Sequence, residues 1–188
     1  MKVIEEKGVE QLSMREVARR LGVSHQAPYK HFESRDHIVA EIVARAFKAL
    51  AEALDARPRS GDPGADLHAM GVAYLEFAAR HPLQYSLMYS AGLPDASLHE
   101  GMLSQSHHAY RGLLENLRAL PVNASDDRDE EAAAAKLHAD AMFIVSALHG
   151  LANLSSSGML QKLSVPRSVH QNAVELVLER IGGGIGKA

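Results

Sequence analysis

Residues 13–36 read SMREVARRLGVSHQAPYKHFESRD, and the order of these residues decides the fold. Ser13 stands three positions before Glu16, the spacing of a capping box in which hydroxyl and carboxylate each take an orphan amide. Met14, Val17, Ala18 and Leu21 recur at three- and four-residue steps, so one face of a short helix is apolar. Arg15, Arg19 and Arg20 lie away from the centre of that face. Gly22 follows and offers the left-handed conformation that stops a helix. Val23 is an apolar plug. Ser24 is a second cap, and the pattern predicts a second helix from His25 to about His31, with Pro28 near enough its start to be tolerated. Phe32 ends it as an apolar anchor. Ser34 caps a third helix, with Asp36 in the first turn, where a carboxylate suits the helix dipole.

Outward from this stretch the chain keeps a helical period. Met1–Lys7 reads as the end of a helix, with Val3 and Ile4 apolar and Gly8 as its stop. A helix this short is unstable alone, so either it leans on the helices that follow or its natural start lies further upstream. The third helix carries Ile38, Val39, Ile42, Val43, Ala46, Phe47, Leu50 and Leu54, and the breaker run from Pro58 to Gly64 ends it near Arg57. Further helices are predicted over Ala65–Arg80, Leu83–Ser90, Ser97–Leu120, Arg128–Asn153 and Arg167–Ile181. The separators are His81-Pro82, the turn 91–95, the loop Pro121–Asp127 and the Ser155–Gly158 break. No segment alternates as a strand does, so the expected fold is all-α. It divides into a three-helix domain over 1–48, a helical body over 49–181 and a flexible glycine-rich tail over 182–188.

Composition narrows the classes. Hydrophobic residues make up 46% and charged residues 23% of the 188, the balance of a soluble globular chain with a real core. There is no cysteine, which excludes a disulfide framework and a thiolate metal site. No apolar run approaches the roughly 18 residues of a membrane span. The N-terminus carries Glu5 and Glu6 where a signal peptide is apolar, so the expected location is the cytoplasm. The net charge of −3 is uneven: residues 1–48 hold nine Lys/Arg against seven Asp/Glu, and the rest eleven against sixteen. A mildly basic head on an acidic body fits nucleic-acid binding at one end.

Two short capped helices joined by a glycine turn match a helix-turn-helix, whose second helix offers its N-terminal side chains to base edges in the major groove. Here His25 and Gln26 come first. Gln bonds adenine in two places and His donates to guanine. Tyr29, Lys30 and His31 follow and reach phosphates. Ser13, Ser24 and Arg35 stand at helix starts, where amides and hydroxyls hold phosphate. The same stretch resembles the DNA-binding domain of TetR-type transcriptional regulators. The resemblance rests on Gly22-Val23-Ser24, Tyr29-Lys30-His31-Phe32 and Ser34-Arg35-Asp36, preceded by SMREVARRL, and covers about residues 1–50. It implies an Ω-shaped homodimer of about nine helices per chain. The usual activity is a repressor that leaves its operator DNA on binding a small molecule. The body resembles a subgroup with a Trp-His-Gly signature through Tyr74–Ala78, His81-Pro82, Leu87-Met88-Tyr89 and His149–Ala152. The tryptophan is absent, and Val145 stands about where it is expected.

For the body the expectation is a small-molecule cavity. Met70, Tyr74, Phe77, Met88, Tyr89, Met102, His107, Tyr110, Met142, Phe143 and His149 form its candidate lining. Met and aromatic side chains make an adaptable apolar wall, and His or Tyr tips orient a polar group. Eight histidines follow residue 60, His138 among them, but no two lie three or four apart on one predicted helix. Neither a metal site nor a cofactor is therefore expected. The helices Arg128–Asn153 and Arg167–Ile181 combine broad apolar faces with small residues (Ala139, Ser146, Ala147, Gly150, Ala173), which suits a four-helix interface in a homodimer. No phosphate loop, nucleophile elbow or paired-carboxylate motif is present. The reading is a ligand-responsive regulator and not an enzyme. The alternative is a helical scaffold that does not bind DNA.

Overall fold

The computed structural model describes residues 2–123 and 129–185. Among them are ten α-helices, four short 3-10 turns and no strand. The helices are α1 (Lys2–Lys7), α2 (Met14–Leu21), α3 (Arg35–Asp55), α4 (Pro63–Arg80), α5 (Pro82–Met88), α6 (Glu100–Arg118), α7 (Glu130–Ser156), α8 (Met159–Lys162), α9 (Arg167–Gln171) and α10 (Ala173–Gly184). None is long and apolar enough to cross a membrane. The chain forms two compact units. The first contains residues 1–51 and 81–108, the second residues 52–80 and 109–188.

In the first unit, Val3 and Ile4 of α1 and Met14 of α2 close over Ile38, Val39 and Val43 of α3. Leu87 of α5 and Met102 of α6 complete this core, so α5 and the start of α6 pack with the N-terminal helices. Three local signals hold, at Ser13, Ser34 and Gly22. Ser13 Oγ accepts the Glu16 amide at 3.2 Å, and Ser34 Oγ accepts that of His37 at 3.1 Å. Gly22 sits in the left-handed region at φ 65°, and the Val23 amide reaches back to the Ala18 carbonyl at 3.1 Å, the closure of a glycine-stopped helix. Leu21 departs from expectation. It is 69% exposed, because the core beneath α2 reaches only as far as Ala18.

In the second unit α4, α7 and α10 pack on one another. A Cβ at Gly71 would overlap Leu178 Cδ2, so the glycine lets α4 and α10 approach closely. Among the described residues Arg57 is the one buried charged side chain. It donates to the carbonyls of Leu54 and Asp66 and, at 2.9 Å, to Asn116 Oδ1. These bonds supply the partners that a buried cation requires, while burial pulls its pKa below the ordinary value.

Three expected boundaries move. Helix α7 continues through Ser155 and Ser156, and the break falls at Gly158, which is left-handed. The predicted helix Arg167–Ile181 divides at Asn172, whose side-chain amide donates to the Ser168 carbonyl at 2.9 Å. Such local bonding competes with a helical backbone. The tail expected to be loose from Gly182 is helical through Gly184, with Ile185 buried. Ile181 and Ile185 are four residues apart and both buried, and that burial offsets the roughly 1 kcal/mol each glycine costs a helix. Residues 186–188, and positions 124–128 of the expected loop and helix start, lie outside the described residues.

Candidate nucleic-acid interface and cavity

The first candidate site is built on the turn after α2. Ser13, Ser24, His25, Gln26, Tyr29, Lys30 and His31 are all exposed, with Tyr29 at 56%. Pro28 is buried beneath them and Phe32 packs against the first unit's core. The backbone differs from the predicted helix His25–His31. Residues 25–27 form turns, and Pro28–Lys30 is a 3-10 turn with Ala27 rather than Ser24 at its N-cap. The amides of Ala27, Tyr29, Lys30 and His31 each bond three residues back, to Ser24, Gln26, Ala27 and Pro28. Pro28 is the cause. It has no amide for the Ser24 carbonyl and its ring crowds that position, so the segment winds tightly.

The charges sort in a way the sequence did not show. Glu16 makes the Ser13 half of the capping box through its backbone amide, but its carboxylate does not reach back. It holds Arg19 at 2.8 Å and Lys7 and Arg20 at 3.1 Å. Hydrogen bonds from these three cations hold its carboxyl far below the ordinary carboxylate range. Arg20 also binds Glu6, whose pKa is lowered in turn. Arg15 and Lys30 are exposed cations of the first unit without an ion pair in the described structure. Arg35, expected at a phosphate, turns inward. Its Nη2 donates to the Val9 carbonyl at 2.8 Å, its Nε to that of Leu12 at 3.2 Å, and its Nη1 to Asp36.

The second candidate site is a cleft of about 470 Å³ within the second unit. Its walls are Leu67 and Gly71 of α4, Ile144 and Leu148 of α7, Leu178 and Ile181 of α10, and the segment Leu120–Val122. Among the described residues, His68 and Glu179 are its ionisable lining groups. His68 Nε2 is shielded from solvent and lies 3.4 Å from Glu175 Oε2 without the geometry of a hydrogen bond.

None of the eleven residues expected at a ligand lines this cleft. Met70, Tyr74 and Phe77 are buried on α4. Met88 and Met102 are buried in the first unit, and His107 is exposed there. The Tyr89 ring lies 5.3 Å from that of Tyr85 and 6.4 Å from that of Phe47. Tyr110 shares a 2.9 Å hydrogen bond with His138. His149 meets Asn153 at 2.7 Å, and burial lowers its pKa. Met142 and Phe143 face solvent at 58% and 50%. The sequence showed that such residues were abundant. It could not show which helix faces point at one another. Among the described residues no three His, Asp or Glu side chains come together as a metal site would need.

Comparison with known proteins agrees with this architecture. Residues 1–42 match the model of bacterial regulatory proteins of the tetR family, and residues 67–181 match the tetracyclin repressor-like C-terminal domain. The chain belongs to the TetR family. An HTH-type transcriptional regulator of Mycobacterium tuberculosis strain H37Rv is 30% identical over 91 residues, 46% of this chain and 38% of that protein. The match thus spans well under half the length of that relative. Among solved structures, a protein of unknown function from Rhodococcus sp. RHA1 superposes with a TM-score of 0.70 at 24% identity, covering 99% of this chain and 91% of that one. The TetR family transcriptional regulator PfmR from Thermus thermophilus gives 0.62 at 22% identity, covering 95% and 93%. At these identities the likeness is one of TetR fold.

Proposed function

We propose that this chain is a cytoplasmic DNA-binding transcriptional regulator. It acts as a homodimer that represses from a near-palindromic operator and releases DNA when a small molecule enters its helical body. The single observation that carries DNA binding is the exposed set His25, Gln26, Tyr29 and Lys30, held on one tight turn after the glycine-stopped α2. Gln26 and His25 are the base readers in this reading, and Tyr29, Lys30 and the hydroxyls of Ser13 and Ser24 are phosphate contacts. A two-fold dimer places its two reading segments about 34–36 Å apart, or further for a longer operator.

The apolar cleft at α4, α7 and α10 supports effector binding, because a cavity of this size with few polar groups is the ordinary form of a small-molecule site. Release of DNA requires the effector to favour one conformation over the other. A gel shift on DNA from upstream of its own gene, at graded salt, tests the reading. Tyr29→Ala should weaken binding to every sequence, whereas Gln26→Ala should relax preference at one base position. Parent-like binding of all DNA by both variants overturns the assignment of the reading turn. Salt-independent or absent binding leaves a helical scaffold.

A further inference from the structure

The cleft in the second unit has a polarity that names its ligand. Among the described residues its walls are mainly Leu, Ile, Val, Pro and Gly, and none that lines it is a Lys or Arg. Two carboxylates stand one turn apart on α10, Glu175 beside His68 and Glu179 in the lining itself. At i and i+4 they share one helix face. His68 Nε2, shielded from solvent and without a hydrogen bond, is a buried polar atom that needs a partner. We propose that this cleft takes a cationic amphiphile, an apolar body bearing an ammonium group that pairs with Glu179 and donates to His68. The proposal deepens the effector reading above and rests on it for the ligand's regulatory role, though not for its chemistry.

An ammonium brings donors and no acceptor, which matches two carboxylates and an imidazole nitrogen. A ligand carboxylate of the same shape meets two like charges at the rim, and a neutral alcohol satisfies one acceptor without the charge term. Glu179 is exposed, so the charge preference is modest, about fivefold over the neutral isostere. The apolar body supplies the rest of the affinity through the walls. Gly71 sets the depth of the cleft, since Leu178 already stands where a Cβ would go.

Calorimetry on the full chain with 1-naphthylmethylamine, 1-naphthylmethanol and 1-naphthoate tests this. The amine should bind about fivefold more tightly than the alcohol, and the naphthoate weakest. Glu179→Gln should bring the amine's affinity down to that of the alcohol measured on the same variant. Leu148→Phe, which fills the cleft, should weaken all three while the circular dichroism stays that of the parent. Naphthoate binding as tightly as the amine overturns the proposal. So does an amine preference that survives Glu179→Gln, or no binding by any of the three. Amine binding that obeys these rules but leaves affinity for the upstream DNA unchanged keeps the ligand class and removes the effector role.

Discussion

Arg35 shows how a residue's role depends on its partners rather than its place in a motif. At a helix start beside Ser34 it reads as a phosphate ligand, yet its guanidinium is tied to the carbonyls of Val9 and Leu12. Those partners lie 26 and 23 residues away in sequence, so no local pattern announces them. Arg35→Ala should therefore lower stability by about 2 kcal/mol, as lost hydrogen bonds to a charged group do, while the salt dependence of DNA binding stays that of the parent. A salt slope reduced by about one charge would return Arg35 to the phosphate backbone. Glu16 is the second case. Its carboxyl is held far below the ordinary 4.5, so its stabilising contribution is complete above that value and fades as pH falls beneath it. Glu16→Gln should melt below the parent at pH 7, and the two melting temperatures should converge as pH is lowered from about 4.5 toward about 3. A constant gap across that range would mean the cations Lys7, Arg19 and Arg20 do not act through the carboxylate. By contrast, Ser13, Ser34 and Gly22 were legible at once, since each acts within three or four residues of itself.

Among the helices, existence and type followed from periodicity, and the endings followed from single residues the periodicity does not weigh. Pro28 turns the expected reading helix into a 3-10 turn. Pro28→Ala restores an amide opposite the Ser24 carbonyl, so the amide of residue 28 should become protected from hydrogen exchange as an α-helical turn forms. Exchange at the rate of an unstructured amide would show that the tight winding has another cause. Such a variant also re-aims His25 and Gln26, and its DNA affinity should change in step with the new protection. Elsewhere Asn172 divides the last predicted helix by its own side-chain bond, and Ile185 carries α10 through three glycines that composition alone assigns to a loose tail.

For the whole molecule, exposed apolar side chains on α7 and α10 bear on the proposed assembly. Met142 and Phe143 on α7 stand 58% and 50% exposed, and Val174 and Leu176 on α10 are 43% and 38% exposed. These side chains lie on the two helices expected to form the interface of the proposed homodimer, and their exposure fits burial against a second copy. Replacing Met142 and Phe143 together with lysine should give a monomer by light scattering, with circular dichroism unchanged and DNA binding weakened. A variant that remains dimeric would move the interface elsewhere. The all-helical class, the order of the helices and the glycine-stopped motif near the N-terminus could all be read from the chain before it folds. Each of these is written in spacings of three to seven residues, where backbone geometry leaves little choice. Three features waited on the packed molecule: residues 81–108 join the N-terminal helices, Arg35 is a strut, and the cleft is walled by Leu67, Ile144, Leu148 and Leu178 rather than by the Met and aromatic residues first expected. A cavity is a property of which faces meet across distant helices. Several faces of this chain are apolar enough to bury, so composition cannot choose among them and packing does.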